Sequence, residues 1–366
     1  MRAYGLASFA VAVLICGAIG GCSAQITQSA QAKACTASAD GNDALQAKLA
    51  ACANVLKQGA KGDDLEQALA QRGEAKRLLS DDKGAVADFD QALRLKPGDT
   101  IALNGRGLAY LDDGKPDLAL ADFNAAIRAN PGDSTGFDNR GYFERTRNDY
   151  TAAITDQSRA IELEPTEALP WANRGYDYAG KRQWDSAIAD FSDALRLARR
   201  YPYAQEGRAE AERGKGDTKA ALKDYEAALG DPHTDNALAD AEAVVELSPA
   251  GDPDALNIRC WVRGVNNTEL PEGLADCQQS LATRPTSAAT LDSLALIYFR
   301  QGRFNDAITQ YTAALAVDPT QEDSQYMRGI AKLRAGDKAG ADADIEAATA
   351  ADKTIAGRFA GYGLKP

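Results

Sequence analysis

A stretch of 13 residues recurs along the chain at a constant interval of 34 residues, and this interval restricts the fold more than any other feature. The copies begin at Ala85, Ala119, Ala153, Ala187 and Ala221. Periods of about 20–50 residues are typical of repeat proteins, in which one unit buries its apolar face only against its neighbours. The chain is therefore predicted to consist of stacked, repeated units.

The residues at fixed places of this period resemble those of the tetratricopeptide repeat (TPR). Counted from Glu66, a unit has a small residue at the eighth place, Ala at the twentieth, an aromatic residue at the twenty-fourth, Ala at the twenty-seventh and Pro at the thirty-second. The resemblance implies an all-α TPR solenoid, a right-handed superhelix of antiparallel helix pairs. Small residues let the two helices approach, and proline ends the second helix. The predicted units begin at Glu66, Thr100, Ser134, Ala168, Pro202, Asp254, Ala288 and Glu322.

Two departures from the repeat shape the predicted domain organisation. Residues 236–253 are an insertion that reads as a second helix without its first, so we expect it to kink or cap the stack. In the unit from Asp254, Trp261 stands at the eighth place, so we expect that helix pair to be splayed or rotated. The predicted parts are a linker with a degenerate helix pair at 22–65, five units at 66–235, the inserted helix at 236–253, three units at 254–355 and a C-terminal cap at 356–366.

The first residues resemble a bacterial lipoprotein signal. An uncharged apolar stretch at residues 6–19 follows Arg2 and is too short to span a bilayer comfortably. It leads into the motif IGGC, which resembles the lipobox, and its cysteine is Cys22. The resemblance implies a signal peptide at 1–21, lipidation of Cys22 and, because serine follows, an outer membrane lipoprotein that faces the periplasm. The alternatives are cleavage after Ala24, which gives a soluble periplasmic or secreted protein, and a retained transmembrane anchor.

Four further cysteines form two pairs that are each 17 residues apart. In the TPR frame, Cys260 and Cys277 stand at the seventh and twenty-fourth places, which face each other across the helix pair. By the same spacing, Cys35 and Cys52 indicate a degenerate unit at 29–62. We expect two disulfide bonds, as is typical of exported proteins. Four buried thiols are the alternative, and the absence of a CxxC or Cys–His cluster disfavours a zinc site.

Arginine recurs at the seventh place and aspartate at the twenty-third place of the same units. The unit from Ala288 lacks both, with Leu294 and Gln310 in their places. Joint presence and joint loss predict an ion pair between the two helices of a unit, because a buried arginine needs a partner. A ladder of arginines that binds acidic ligands is the alternative. The residues are Arg72, Arg106, Arg140, Arg174, Arg208 and Arg328, with Asp88, Asp122, Asp156, Asp190, Asp224 and Asp344.

The sequence offers little for catalysis. His233 is the one histidine, and it falls in a predicted turn, so a histidine-based metal site or a Ser-His-Asp relay would depend on that single ring. The net charge of -12 disfavours contact with nucleic acid or with anionic lipid through a basic face. We therefore expect no enzyme, no catalytic residues, no metal and no cofactor, and membrane contact through the lipid anchor alone.

Binding is the more promising activity. In TPR proteins the first helix of each unit lines a concave groove, and the resemblance implies groove residues near the second, fifth, ninth and twelfth places. Aromatic residues that alternate with charges suit an extended or helical peptide. Packing between adjacent first helices is the alternative role of Tyr142 and Tyr176. The predicted groove residues are Asp138, Tyr142, Arg145, Leu169, Tyr176, Tyr203, Glu206, Arg213, Asp292, Leu296, Phe299, Tyr326 and Ile330.

The sequence thus predicts a non-enzymatic TPR scaffold or adaptor, anchored in the bacterial envelope, that binds a protein or peptide partner in its groove. The alternative function is a periplasmic protein that binds a glycan or peptidoglycan fragment, since aromatic rings and carboxylates serve sugars as well as peptides.

Overall fold

A computed structural model describes residues 31–39, 41–230 and 236–365. These residues form α-helices joined by short turns, and no strand occurs among them. Within the same residues, no helix is long and apolar enough to cross a membrane. The predicted signal peptide, Cys22 and His233 lie outside the described residues. The chain forms two compact units, Met1–Glu164 and Pro165–Pro366.

The first unit consists of consecutive helix pairs, as the TPR frame predicts. Its first helices also contact one another directly, α3 with α5 and α5 with α7. Predicted starts at Thr100 and Ser134 are confirmed, whereas the first regular helix starts at Gly62, one turn before Glu66. The helices are α1 (residues 31–36), α2 (Asn42–Lys57), α3 (Gly62–Leu78), α4 (Asp82–Leu95), α5 (Thr100–Asp112), α6 (Pro116–Ala129), α7 (Ser134–Thr146) and α8 (Tyr150–Leu163).

The second unit continues the same pairing and ends in a short additional helix. Its first helices also contact one another, α9 with α11, α14 with α16 and α16 with α18. The helices are α9 (Ala168–Gly180), α10 (Trp184–Leu197), α11 (Pro202–Lys215), α12 (Thr218–Ala228), α13 (Ala237–Leu247), α14 (Pro253–Asn266), α15 (Leu270–Thr283), α16 (Ala288–Arg300), α17 (Phe304–Val317), α18 (Glu322–Ala335), α19 (Lys338–Ala351) and α20 (Ile355–Gly361).

Aspartates begin many of these helices because a side-chain oxygen can satisfy a free backbone N–H of the first turn. The carboxylate of Asp99 accepts a hydrogen bond of 2.8 Å from the backbone N–H of Ala102, and Asp149 caps α8 in the same way. At the other end, Gly114 has a φ of 70°, which glycine adopts without strain. The sequence therefore encodes sharp helix ends and short turns.

The close approach within a pair depends on glycine at the eighth place and an aromatic ring at the twenty-fourth. A Cβ atom added to Gly107 would lie 2.5 Å from the ring of Phe123, and one added to Gly175 would lie 2.8 Å from that of Phe191. Both rings are fully buried. Since carbon atoms do not approach this closely, the pair requires glycine at these positions.

The unit predicted from Asp254 is shifted by one residue. Its first helix starts at Pro253, and Cys260, not Trp261, lies against the second helix. The extra residue is accommodated in the turn, where Asn267 and Glu269 have φ values of 53° and 44°. Trp261 therefore occupies the ninth place and not the eighth, so the premise from which a splayed or rotated pair was expected was wrong.

Both predicted cysteine pairs lie at disulfide distance. The Sγ atoms of Cys35 and Cys52 are 2.11 Å apart, and those of Cys260 and Cys277 are 1.99 Å apart. All four side chains are buried. Each link closes a loop of 17 residues, which stabilises the fold by about 3 kcal/mol in the chain-entropy model.

Residues of the predicted insertion form α13, which packs against α12 and α14. Ala241 and Val244 are buried there, in one cluster with Tyr225. The insertion is thus part of the core of the second unit, and the chain divides between Glu164 and Pro165.

The C-terminal segment is packed against the preceding helices. Ile355 and Phe359 of α20 are buried. Arg300 of α16 donates hydrogen bonds to the carbonyl oxygens of Val265 and Tyr362, at 2.8 and 2.7 Å. This arginine therefore ties the end of α14 and the residue after α20 to α16.

Candidate functional site

The repeated arginines and aspartates form the predicted ion pairs. In the first unit, Arg106 donates to Asp122 through Nε at 2.8 Å and through Nη2 at 2.7 Å, a bidentate geometry that strengthens the pair. The same contact joins the other five pairs, and each aspartate is buried. Hydrogen bonds from Arg328 and Lys332 outweigh the effect of burial and lower the pKa of Asp344.

Some of these arginines also connect successive repeats, a role that the sequence argument missed. Nη1 of Arg106 lies 2.7 Å from Asp90, and Nη1 of Arg140 lies 2.7 Å from the amide oxygen of Asn124. Each partner precedes its arginine by 16 residues, a spacing that could have identified it. Because all six arginines pair with a buried aspartate inside the fold, the contacts favour the structural role over the ladder that binds acidic ligands.

The first helices carry several exposed apolar side chains at the predicted groove places, here called the first-helix face. Tyr142 stands at the ninth place, and Leu169 stands at the second. Ile101 occupies the second place of its unit and is equally exposed, although it was not predicted. Asp138 is partly buried, and Arg145 lies over the ring of Tyr142 at 5.2 Å.

Most predicted groove residues of α9 and α11 have partners inside the second unit. Tyr176 packs on the ring of Tyr203 at 4.5 Å and donates a hydrogen bond of 2.7 Å to its carbonyl oxygen, which favours the packing role of Tyr176. Glu206 is buried and accepts from Asn236 at 2.8 Å. Arg213 is exposed and pairs with Glu246 at 2.8 Å. Among the predicted groove residues of these two helices, Leu169 and Arg213 present exposed side chains.

Four predicted groove residues of the last repeats are enclosed to different degrees. Leu296, Tyr326 and Ile330 are buried in the core, and Phe299 is partly buried against it. Phe359 of α20 stacks on Tyr326 with ring centroids 5.4 Å apart. The implied groove surface is thus corrected here: Leu296, Tyr326 and Ile330 belong to the core and are not open to a partner.

A cavity of about 500 Å³ remains between α14, α16, α18 and α20, and we call it the α20 pocket. Its walls come mainly from the first helices, including Asn257 at the fifth place and Trp261 at the ninth place of the corrected register. Neither residue was predicted as a groove residue, because the predicted register of this unit was shifted by one residue. The charged residues of the pocket are Asp292, Asp318, Glu322, Asp323 and Arg358.

An inner chamber of about 80 Å³ adjoins the α20 pocket and shares Trp261, Asp292, Asp323 and Arg358 with it. Apolar side chains form most of its remaining wall. They are Val265, Leu296, Met327 and Phe359, together with the rings of Tyr311 and Tyr362.

Asp292 is the carboxylate that the two cavities share on α16. It accepts a hydrogen bond from the hydroxyl of Ser324. Burial, with a smaller effect from the charge of Asp323, raises the pKa of Asp292 to about 6. Arg358 offers it little compensation, because that guanidinium donates to Asp323 at 2.6 Å and to Asp352 at 2.7 Å. Asp292 therefore carries its charge at neutral pH at a cost in solvation.

Tyr311 contributes an unusual polar group to the inner chamber. Its side chain is 1% exposed, and its hydroxyl oxygen has no hydrogen-bond partner within the described part of the chain. Burial, and then the charge of Asp292, raises the pKa of Tyr311 well above its ordinary value. Tyr311 stands at the twenty-fourth place, which Tyr225 also occupies in its own unit. A tyrosine at this place is therefore not by itself a sequence signal for the inner chamber.

Comparison with known proteins supports the repeat assignment. A family model described as a tetratricopeptide repeat matches residues 83–134 and 173–237, and one described as a TPR repeat matches 295–336. A comparison with curated protein sequences gave no match. Together with the helix pairs, the family matches show that the chain contains TPR repeats in an all-α TPR solenoid.

Several solved structures are similar to this chain. A tetratricopeptide repeat protein from Parabacteroides merdae is 16% identical with a TM-score of 0.45, and the match covers 76% of this chain and 99% of that one. The structure of pilF from Pseudomonas aeruginosa is 16% identical with a TM-score of 0.44, and the match covers 62% of this chain and 96% of that one. The structure of MamA from Desulfovibrio magneticus is 16% identical with a TM-score of 0.40, and the match covers 46% of this chain and 96% of that one.

Proposed function

We propose that this protein is a non-enzymatic scaffold of the bacterial envelope, anchored by a lipid on Cys22, that binds a protein or peptide partner on its first-helix face. TPR repeats are generally non-catalytic scaffolds that bind proteins, which is consistent with an adaptor. The partner-binding part and the envelope part have separate support.

The exposed apolar residues of the first-helix face carry the proposal for partner binding. Ile101, Tyr142 and Leu169 are between 41% and 48% exposed. Large apolar side chains at regularly repeated surface places are what a peptide or a partner helix uses as anchor points. Within one compact unit, a partner could contact more than one repeat, as at Ile101 and Tyr142, because the repeats follow each other every 34 residues.

The proposed envelope location rests on two features. The IGGC motif at Cys22 resembles a lipobox. The two cysteine pairs at disulfide distance suit an oxidising compartment such as the periplasm. A Cys22→Ala variant tests the anchor: we expect it to lose incorporation of labelled palmitate and to leave the membrane fraction, and retention of both would contradict the anchor.

Site-specific photo-crosslinking in intact cells tests partner binding. p-Benzoylphenylalanine replaces Ile101, Tyr142 or Leu169, one at a time. The matched controls carry it at Leu95 of α4 or Val317 of α17, which lie on second helices and are 50% and 47% exposed. Equal exposure makes random collisions equally frequent at both sets of positions.

We expect one protein, identified by mass spectrometry, to crosslink at the first-helix positions and not at the controls. Equal crosslinking at both sets would contradict a partner face on the first helices. If no protein crosslinks at any position, the adaptor is refuted, and binding of labelled peptidoglycan fragments becomes the next measurement.

A further inference from the structure

We propose that the α20 pocket binds the side-chain ammonium group of a lysine in a peptide partner. This inference rests on the proposed function for the source of the lysine. The pocket and its inner chamber supply three kinds of evidence: an uncompensated carboxylate, buried oxygen atoms without partners, and an apolar chamber of suitable size.

The charge balance of the pocket favours a cation. Four carboxylates and one guanidinium line it. That guanidinium, of Arg358, is already paired with Asp323 and with Asp352 outside the pocket. Asp318 accepts from the backbone N–H and the hydroxyl of Thr320 in its own turn. Asp292 faces the cavity with one hydroxyl donor, so a bound cation would restore the solvation that burial removes.

Two oxygen atoms at the pocket lack the partner that buried polar groups normally have. They are the hydroxyl oxygen of Tyr311 and the amide oxygen of Asn257. Tyr311 is almost fully buried and lines the inner chamber next to Asp292. An ammonium group has three N–H donors and can donate to a carboxylate and a hydroxyl oxygen at once.

The shape of the site favours lysine over arginine. The inner chamber of about 80 Å³ has mostly apolar walls, which suit a methylene chain that ends in one compact charge. A guanidinium instead prefers paired acceptors in a plane, as in the ion pairs of the repeats. Trp261 lines both cavities and offers an aromatic face, which attracts cations.

The binding experiment uses the full chain labelled with 5-fluorotryptophan. The chain has three tryptophans, so Trp171 and Trp184 serve as internal controls in the ¹⁹F spectrum. The probes are the peptide acetyl-Gly-Gly-Lys-Gly-Gly-amide, its norleucine and arginine analogues, and cadaverine. We expect the lysine peptide to shift the Trp261 resonance alone and to bind at least tenfold more tightly than the norleucine peptide.

Two variants test the assigned groups. Asp292→Asn is expected to weaken binding of the lysine peptide at least tenfold, and Tyr311→Phe at least threefold. Because Tyr311→Phe removes an unpartnered buried hydroxyl, its thermal midpoint should equal or exceed that of the wild type. Glu346→Gln, which makes the same change of charge at an exposed site on α19, should leave binding unchanged.

Four results would overturn the inference. They are equal binding of the norleucine peptide, tighter binding of the arginine peptide, unchanged affinity in both pocket variants, and a Trp261 shift with Ca²⁺ at the concentration of the lysine peptide. Tighter binding of cadaverine than of the lysine peptide would assign the pocket to a free amine and refute the peptide source. If no peptide binds while crosslinking at the first-helix face succeeds, the proposed scaffold function is retained and the assignment of the α20 pocket to lysine is refuted.

Discussion

The ion pair between Arg106 and Asp122 allows a quantitative test of the repeat core. Replacing Asp122 by Ala removes both of its charge-assisted hydrogen bonds and leaves the guanidinium with Asp90. Breaking a buried pair from one side costs about 3–5 kcal/mol. The side chain of Arg106 is 21% exposed, so water and Asp90 compensate in part, and we expect a loss of about 2–3 kcal/mol.

Replacing both partners should be far less damaging. The unit from Ala288 folds with Leu294 and Gln310 at the same two places. The double variant Arg106→Leu/Asp122→Gln places the same two residue types in the unit from Thr100. We expect its stability to lie within about 1 kcal/mol of the wild type, since no charge is left buried and unpaired.

Urea unfolding followed by circular dichroism measures these changes. Hydrogen exchange of the amides in α5 and α6 shows whether the loss is local, as is expected for stacked repeats. An Asp122→Ala variant as stable as the wild type would refute the structural role of the pair. A double variant that loses as much as the single one would show that charge pairing contributes more than we infer.

Three further predictions follow from particular contacts. Burial, with two glutamates of α11 nearby, raises the pKa of Asp240 to about 7, so the folded state holds a proton that the unfolded state releases near pH 4. Asp240 should therefore lower the stability by at most about 4 kcal/mol as the pH rises from about 4 to 7, and Asp240→Asn should lose this part of the dependence of the urea midpoint, while the part from groups such as Asp292 remains. Gly107→Ala should destabilise the protein by about 1–3 kcal/mol, because the added methyl group would collide with the ring of Phe123. Gly357→Ala should stabilise α20 by about 0.5–1 kcal/mol, because the space around this residue is open. Urea unfolding measures both changes. Cys260→Ser/Cys277→Ser should cost about 3 kcal/mol, and reducing agent should destabilise this variant further because the Cys35–Cys52 link remains; a variant with the midpoint of the wild type would mean that Cys260 and Cys277 are not linked.

Contacts inside one helix pair could be predicted from the sequence. Residues 16 or 17 positions apart meet across a short turn, so Arg106 with Asp122 and Cys35 with Cys52 follow from spacing alone. The same spacing places position 107 against Phe123, which explains why the residue at position 107 must be small. These contacts depend on helix geometry and turn length, which the repeated pattern fixes within each unit.

The register of α14 was not predicted, because the repeat frame gives a helix boundary only to within a residue or so. A one-residue change of start rotates every side chain by about 100°. It moved Trp261 from the contact between two helices to the wall of the α20 pocket. The spacing of 17 between Cys260 and Cys277 was the sign of that shift.

By itself the sequence determined the solenoid, its helix pairs, its ion pairs and its cysteine pairs, since all of these depend on neighbours along the chain. The tertiary structure alone decided where the C-terminal helix lies. Contacts such as Arg300 with the carbonyl of Tyr362 span 62 residues and have no periodic signal. There, α20 packs on Tyr326, adds Arg358 to the wall of the α20 pocket and forms part of the inner chamber that Tyr311 lines.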